Sequence, residues 1–288
     1  MEKQNQKWMT VIHSDSEVGK INIREVIKYK DLIFLFVRRT FVARYKQTIL
    51  GPAWAIIQPF LTTVVYTLFF GNIAGLGPGN VPNFIFYLSG TIVWSYFASC
   101  LSQCAGTFTS NAGIFGKVYF PRIIMPISNI FSNLIAFCIQ YVFLVGFVIF
   151  FACTDSGVSP NWYIAMTPII LLQMGLLGLA VGVIIASITT KYRDLVMLIG
   201  FGVSLWSYAS PVAYDMFSRS IIAPGGKFYS LYMLNPVTPS INIFRYAYLG
   251  IGTIDWMDYG ISWGVTAVLL VIAFILFGRI ERTFMDTV

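Results

Sequence analysis

The chain has 288 residues, of which 57% are hydrophobic and 11% are charged. A soluble globular protein carries about 25% charged residues, so this composition excludes an ordinary soluble enzyme or binding module. The net charge of +7 would suit nucleic acid if the cations were spread through a soluble fold, but here they cluster between long neutral runs. The sequence therefore predicts an all-α membrane protein without a nucleic-acid partner.

The N-terminal part divides into a polar tail, 1–21, and a basic segment, 22–52, that predicts an amphipathic helix along the membrane surface. Its apolar core, Leu32–Val37, is too short to span, because a spanning helix needs about 20 apolar residues. Gly51 and Pro52 predict the corner where the chain enters the bilayer, since Pro restricts the preceding residue and suits the first turn of a helix.

Six apolar runs contain no Lys, Arg, Asp or Glu and are long enough to span the bilayer. Uninterrupted runs of this kind are typical of helices, whereas barrel strands alternate in hydrophobicity. We therefore predict six transmembrane helices within a membrane domain, 53–288, at about 53–71, 83–105, 124–152, 162–189, 195–213 and 260–278.

The distribution of cations predicts the orientation. Of the 19 Lys and Arg residues, sixteen lie in 1–52, 106–123, 190–194 and the C-terminal tail, and three lie on the opposite side. Because short cytoplasmic segments carry an excess of Lys and Arg, both termini are expected in the cytoplasm. The connection 214–259 is then on the outer side, where its Pro, Gly and aromatic residues predict short re-entrant or interfacial helices.

Several kinds of chemistry are disfavoured. The spans lack the ionisable residues of an ion-coupled carrier, and none of the Gly-Lys pairs continues into a phosphate-binding loop. We expect the four cysteines to be small buried hydrophobic residues, since a zinc site needs a fuller ligand set. The pair Asp255 and Asp258 is expected to be solvated loop charge, although it would be the catalytic candidate in a membrane enzyme.

Neutral polar and aromatic side chains remain within the spans. For the polar ones, hydrogen bonding between helices and lining of a channel are equally open interpretations. Gly178 and Gly182 favour close helix packing. Aromatic rings could offer a sugar chain flat surfaces to slide along, so the candidate lining residues are Gln58, Tyr66, Phe70, Trp94, Tyr96, Asn129, Asn133, Trp206 and Tyr208.

Five stretches, in order, resemble the permease subunits of bacterial ABC exporters for lipid-linked polysaccharides such as O-antigen, teichoic acid and capsule. They are RYKQTILGPAWAIIQP (44–59), VYFPRIIMP (118–126), KYRD (191–194), SPVAY (210–214) and LNPVTPSINIFRYAYLG (234–250). The resemblance implies a homodimer in the cytoplasmic membrane that exports a lipid-linked glycan through a channel between its subunits. ATP and Mg²⁺ would bind two copies of a separate ATPase, and this chain would hold no cofactor, metal or catalytic site of its own.

The resemblance also implies roles for individual residues. Contacts with lipid headgroups or the ATPase are expected from Arg38, Arg39, Arg44 and Lys46. The loop 107–122, with the smaller loop 190–194, would couple to the ATPase through Phe115, Lys117, Tyr119, Arg122, Arg193 and Asp194. The outer gate within 214–259 would include Tyr214, Tyr232, Asn235, Pro236, Pro239 and Arg245.

Two other functions remain open on the sequence. An ABC permease for a drug or small lipid would share the six-span fold without the five stretches. A membrane enzyme that modifies a glycan or lipid would need a catalytic carboxylate, for which Asp255 and Asp258 are the candidates.

Overall fold

The computed structural model describes residues 27–46, 48–115, 120–154, 156–189, 195–217 and 224–283. These residues are mainly helical and include no strand. The α-helices are α1 (Lys30–Tyr45), α2 (Trp54–Tyr66), α3 (Asn83–Ala105), α4 (Thr107–Phe115), α5 (Ile124–Cys153), α6 (Thr167–Thr189), α7 (Leu195–Tyr208), α8 (Tyr229–Met233), α9 (Val237–Leu249) and α10 (Trp256–Thr283).

A break between the first two helices lies at the predicted position. Gly51 has a φ of 51°, in the left-handed region that glycine adopts without steric cost. A short 3₁₀ turn, Gly51–Ala53, then carries Pro52 at its start and leads into α2. The break between α1 and α2 therefore matches the backbone preferences of two adjacent residues.

Five helical stretches are long and apolar enough to cross a membrane: Gly51–Ile73, Asn83–Ala105, Ile124–Cys153, Trp162–Thr189 and Trp256–Gly278. The predicted span at 195–213 is not confirmed at full length. Helix α7 ends at Tyr208, so it measures about 21 Å against a hydrocarbon core of about 30 Å. Residues 209–213 turn instead of continuing the helix.

Helix α3 is the centre of the bundle and packs against both α5 and α6. Gly178 and Gly182 bring α6 directly onto it, because a Cβ at Gly182 would lie 2.7 Å from the Leu101 carbonyl oxygen. The interpretation of this glycine pair as a packing motif is therefore confirmed. The cysteine prediction holds for Cys100 and Cys104, which are buried.

For the other two cysteines the prediction is wrong. Cys138 and Cys153 are exposed because both lie on outward-facing positions of α5. Among the described residues, no group of three His, Cys, Asp or Glu side chains could hold a metal ion.

Helix α1 packs against the beginning of α5, where the Phe36 and Phe120 ring centroids are 5.6 Å apart. Its free surface mixes exposed Phe34 with exposed Arg38, so the apolar and charged residues are not segregated into two faces. Long cationic side chains can extend away from an apolar surface, which is compatible with an interfacial position. The predicted loop 107–122 begins with helix α4.

The short helices predicted within the connection 214–259 are confirmed as α8 and α9. Helix α9 is buried along almost its whole length. The start of α10 is capped by Asp255, whose carboxylate accepts a hydrogen bond from the Met257 N–H at 2.9 Å. Asp258 accepts a 2.6 Å hydrogen bond from the Tyr229 hydroxyl. These carboxylates are therefore tied into helix ends and are not merely solvated loop charges.

Candidate functional site

A polar groove with a volume of about 830 Å³ runs along α2, α3 and α7. Its walls combine hydroxyl and amide side chains with the aromatic rings of Tyr45, Trp54, Tyr66 and Trp94. The polar residues that line it are Thr48, Gln58, Thr62, Thr91, Ser95, Ser99, Ser102, Gln103, Gln140, Ser204 and Ser207. We call this feature the groove.

The exposure of α3 shows how the bundle forms the groove. Between Ile85 and Ala105, every side chain is buried except Ser95, Ala98, Ser99, Ser102 and Gln103. These five recur at helical spacing on one face, and all of them line the groove. The central helix of the bundle is therefore accessible along the groove and nowhere else over this stretch.

The wall on α2 depends on a proline within the helix. Pro59 has no N–H and cannot donate to the Ala55 carbonyl, as the residue in its place ordinarily would. Gln140 on α5 donates to that carbonyl instead, with an Nε2-to-oxygen distance of 3.0 Å. Gln140 also lines the groove, so one side chain both completes the α2 backbone and contributes polarity to the wall.

One end of the groove carries a cation. Arg44 is exposed and is the one charged side chain among the described residues that line the groove. The neighbouring cations Arg38, Arg39 and Lys46 are also exposed but are not part of the lining. The structure therefore distinguishes Arg44 from the other three predicted headgroup contacts.

The dimensions and lining of the groove indicate the kind of molecule it suits. From Trp54 to Tyr66 the α2 wall is about 18 Å long, more than half of a hydrocarbon core of about 30 Å. Pockets for small drug-like ligands are lined mainly by apolar side chains. Hydroxyls, amides and amphipathic rings instead suit a neutral, hydroxyl-rich ligand that forms hydrogen bonds and packs on aromatic faces.

The structure brings three predicted lining residues together in the groove, namely Gln58, Tyr66 and Trp94. Phe70 lies outside its lining but contacts the Tyr66 ring at a centroid distance of 5.3 Å. Tyr96 points to the opposite side of α3, where its ring contacts Phe137. The prediction for Tyr96 is therefore not matched by its position.

Asn129 and Asn133 join helices and are not part of the groove lining. Asn133 accepts a 2.7 Å hydrogen bond from Gln103 Nε2. Asn129 donates to the Gln103 carbonyl at 3.3 Å and to the Thr107 hydroxyl at 3.2 Å. Of the two interpretations open on the sequence, hydrogen bonding between helices is the one their contacts support.

A second, aromatic cavity with a volume of about 400 Å³ lies where α7 meets α8. This cavity adjoins the groove, because the ring of Trp206 in its lining contacts the ring of Trp94 in the groove lining at a centroid distance of 6.5 Å. The Trp206 indole N–H also donates to Asn235 Oδ1 at 3.1 Å. The other predicted residues that line this cavity are Tyr208, Tyr214, Tyr232, Asn235 and Pro236.

The remaining predicted gate residues lie beneath this surface. Pro239 is buried within α9, and the Arg245 guanidinium donates to the carbonyls of Pro211 and Val212 at 2.5 and 2.9 Å. The guanidinium also lies 3.7 Å from the centre of the Phe86 ring, a cation–π geometry. Pro211 has no N–H with which to continue the helix, and the two carbonyls beyond Tyr208 turn toward Arg245.

The charge of Arg245 is retained in this buried position. Burial lowers the pKa of its guanidinium to about 9, and the Asp215 carboxylate opposes that change. At neutral pH the side chain is therefore a cation. Arg245 lies in the stretch LNPVTPSINIFRYAYLG, and its two hydrogen bonds join that stretch to SPVAY in the buried part of the fold.

The predicted coupling residues are only partly described. Arg122 is buried near the start of α5, although an exposed contact was expected. Lys117, Tyr119, Arg193 and Asp194 lie outside the described residues, as does the side chain of Phe115.

The sequence interpretation missed the hydroxyl face of α3. Thr91, Ser95 and Ser99 are spaced by four residues, with Ser102 one turn further, and this periodicity within an apolar span is the signal that could have identified the face. On α7, Ser204 and Ser207 carry the same kind of signal.

Comparison with known proteins identifies the family. The O-antigen export system permease protein RfbA of Myxococcus xanthus is 28% identical over 195 residues, which cover 67% of this chain and 72% of that protein. Two proteins of the same name from Klebsiella pneumoniae are 26% and 24% identical over 259 residues, covering 89% of this chain and 94% of each. The ABC-2 type transporter family model matches residues 31–249. Because that match covers well over half of the 288 residues, the chain belongs to the ABC-2 type transporter family.

Proposed function

We propose that this chain is the membrane subunit of an ATP-driven exporter that moves a lipid-linked polysaccharide, of the O-antigen kind, across the bacterial cytoplasmic membrane. The observation that carries the proposal is the groove, which places a continuous polar and aromatic surface along the central helix. The RfbA relatives named as O-antigen export permeases support the substrate class.

The groove is open along one side, so we propose that a second copy of the chain closes it into a channel. Apolar side chains beside it are exposed, including Leu61 and Val65 on α2 and Phe201 and Leu205 on α7. Contact between two such surfaces would bury apolar area and leave the polar groove enclosed. Each copy would contribute half of the channel wall.

Energy would come from two copies of a separate ATPase that bind ATP and Mg²⁺. We propose that these subunits dock on the cytoplasmic side, to which the distribution of Lys and Arg assigns both termini. Helix α1 offers exposed Arg38, Arg39 and Lys46 there. Helix α4 and the loops at 116–122 and 190–194 would complete the docking surface and transmit closure of the ATPase to the channel.

The chemistry of the groove suggests the order of events. The phosphate of the lipid anchor would meet Arg44 at the cytoplasmic end, where a cation is worth about 1 kcal/mol near an anionic surface. The neutral glycan would then pass along the hydroxyls of α3, exchanging hydrogen bonds with water for hydrogen bonds with the wall. It would leave past the Trp94–Trp206 contact and the aromatic cavity.

This proposal fits the described residues better than the alternatives. A drug- or small-lipid-exporting permease would be expected to have a mainly apolar binding surface, which the groove is not. A membrane enzyme would need an available carboxylate, but Asp255 caps α10 and Asp258 accepts from Tyr229.

The test is to narrow the groove with one large side chain. Ser99→Trp places an indole on the exposed strip of α3. In cells that lack the native gene, export is measured as the amount of polysaccharide at the cell surface. The amount of lipid-linked polysaccharide retained in the inner membrane is measured alongside it. We expect surface polysaccharide to fall and the retained form to accumulate at unchanged protein level. Val142→Trp is the matched control, because Val142 is 73% exposed on α5 and does not line the groove.

Normal export by Ser99→Trp at a normal protein level would contradict the proposal. A loss of export that is equally large in Val142→Trp would also contradict it, because the effect would then not depend on the groove.

A further inference from the structure

Besides the groove and the aromatic cavity, a third cavity lies on the other side of α3 from the groove. It has a volume of about 600 Å³ and is bounded by α5 and by the stretch from Ile164 to Leu176, with Tyr96 of α3 at its floor. None of the described residues that line it is charged. We call it the crevice.

The crevice exists because α5 and α6 both pack on α3 and separate above it. Gly175 allows α6 to approach closely, since a Cβ there would lie 2.7 Å from the Tyr96 hydroxyl oxygen. Cys138 and Leu172, on the two walls, remain exposed. The result is a cleft whose opening is framed by apolar side chains.

The surface around this opening identifies what covers it. Phe131 in the lining is exposed, as are Val142 and Ile169 beside the crevice. They lie on α5 and α6, and both helices belong to stretches long and apolar enough to span the membrane. The crevice is therefore continuous with a surface that faces hydrocarbon, since no water-exposed surface of a soluble domain is this apolar over such a length.

The length of the crevice matches one leaflet. Its wall on α5 runs from Ile130 to Tyr141, about 16 Å of helix, and half of the hydrocarbon core is about 15 Å. Its volume lies within the range of specific ligand pockets, about 300–1,000 Å³. A single hydrocarbon chain lying parallel to the helices would fit this shape.

The polar groups at one end of the crevice already have hydrogen-bond partners and do not require a polar ligand. The Tyr141 and Tyr248 hydroxyls are hydrogen-bonded at 2.6 Å, and Thr167 Oγ1 lies 2.8 Å from the same Tyr248 hydroxyl. Because these groups satisfy one another, they close the end toward the connection 156–161 without exposing an unpaired donor. Apart from the Tyr96 hydroxyl and the Cys138 thiol, the rest of the lining is apolar and offers dispersion contacts and apolar burial.

We propose that the crevice is a binding site for one acyl chain of a membrane phospholipid, held between α5 and α6. The bound chain completes the packing over Tyr96, which α5 and α6 leave open. This site is separate from the groove, and it does not depend on which substrate the groove carries.

The test uses purified protein reconstituted in vesicles of phosphatidylethanolamine and phosphatidylglycerol, with a fraction of phosphatidylglycerol bearing a diazirine midway along one acyl chain. After extraction into detergent and removal of free lipid, irradiation labels the lipid that stays bound, and peptide mass spectrometry locates the adducts. We expect them on the crevice walls, near Cys138 and Leu172, and not on exposed Val271 of α10.

Two variants fill the crevice from exposed positions, Ala165→Trp and Cys138→Trp. We expect each to reduce retained label at least about tenfold, a change in the binding constant equivalent to 1.4 kcal/mol, while Val142→Trp keeps it. Labelling spread evenly over the apolar surface, or unchanged in both filled variants, would overturn the proposal. So would displacement of the label by polyprenyl phosphate at equal concentration, since the site would then belong to a polyprenyl chain.

Discussion

Pro59 and Gln140 lie on different helices, and Gln140 supplies the hydrogen bond that Pro59 removes. The proline leaves the Ala55 carbonyl without its helical donor, and the Gln140 amide donates to that carbonyl at 3.0 Å. A break in the backbone of a membrane helix is tolerated when a neighbouring side chain satisfies the freed group. This pair therefore holds α2 against α5 at the edge of the groove.

The pair predicts a dependence between two substitutions. Gln140→Leu should lower the free energy of unfolding by about 1–3 kcal/mol, because a buried carbonyl loses its donor. In a Pro59→Ala background the same change should cost less, since an alanine in place of the proline restores the helical N–H. Reversible unfolding in detergent of the two single variants and the double variant measures the coupling. Equal costs in both backgrounds would contradict the assignment.

Arg44 and Arg39 form a matched pair on α1, since both are exposed cations and Arg44 alone lines the groove. Arg44→Gln should reduce export about fivefold, as expected for the loss of about 1 kcal/mol at an anionic surface, whereas Arg39→Gln should change it little. Surface polysaccharide per unit of membrane protein is the measurement. An equal loss in both variants would indicate general attraction to the lipid surface in place of a contact at the groove.

Arg245 is predicted to hold the turn 209–217 in place. Arg245→Gln should destabilise the fold by about 2–3 kcal/mol through the loss of charge-assisted hydrogen bonds, and Arg245→Lys should not restore it, because an ammonium cannot reproduce the planar fork. A cysteine at buried Ala213, in a chain lacking its four native cysteines, should then react faster with maleimide.

Two further variants sharpen this prediction. Gly90→Ala should mimic Arg245→Gln, because a Cβ at Gly90 would overlap Nη2 of the guanidinium. Lys227→Gln is the control, since this exposed cation lies in the same connection, 214–259. If the cysteine at 213 stays protected without Arg245, the anchoring role is wrong.

The contact between α6 and α3 predicts contrasting effects at two glycines. Gly182→Ala should destabilise the protein by about 1–3 kcal/mol, because the new Cβ would press on the Leu101 carbonyl and overpack the interface. Gly146→Ala on α5 meets nothing within 4 Å and should be neutral or stabilising, since Ala favours a helix over Gly. Thermal unfolding midpoints in one detergent would measure both, and a similar loss at the two sites would refute the packing explanation.

Much of the fold could be predicted from local sequence. The length and hydropathy of the apolar runs fix five of the spanning stretches, and Gly51 with Pro52 marks the corner before α2. The glycine pair on α6 likewise indicated close packing. These features depend on short stretches of chain, where composition and periodicity determine local structure directly.

The candidate site depended on contacts between residues far apart in the chain. The sequence alone could not show that Asn133 would pair with Gln103, that Tyr96 would face away from Trp94, or that Arg245 would bind the carbonyls of Pro211 and Val212.

What the sequence by itself determined is that the chain is a helical membrane protein with a basic, asymmetric distribution of charge, because hydropathy and the placement of Lys and Arg are properties of composition along the chain. Which polar side chains share a surface was decided by the tertiary structure. Packing of α5 and α6 on α3 buries all but one strip of that helix, and that strip, with its hydroxyls, became the groove.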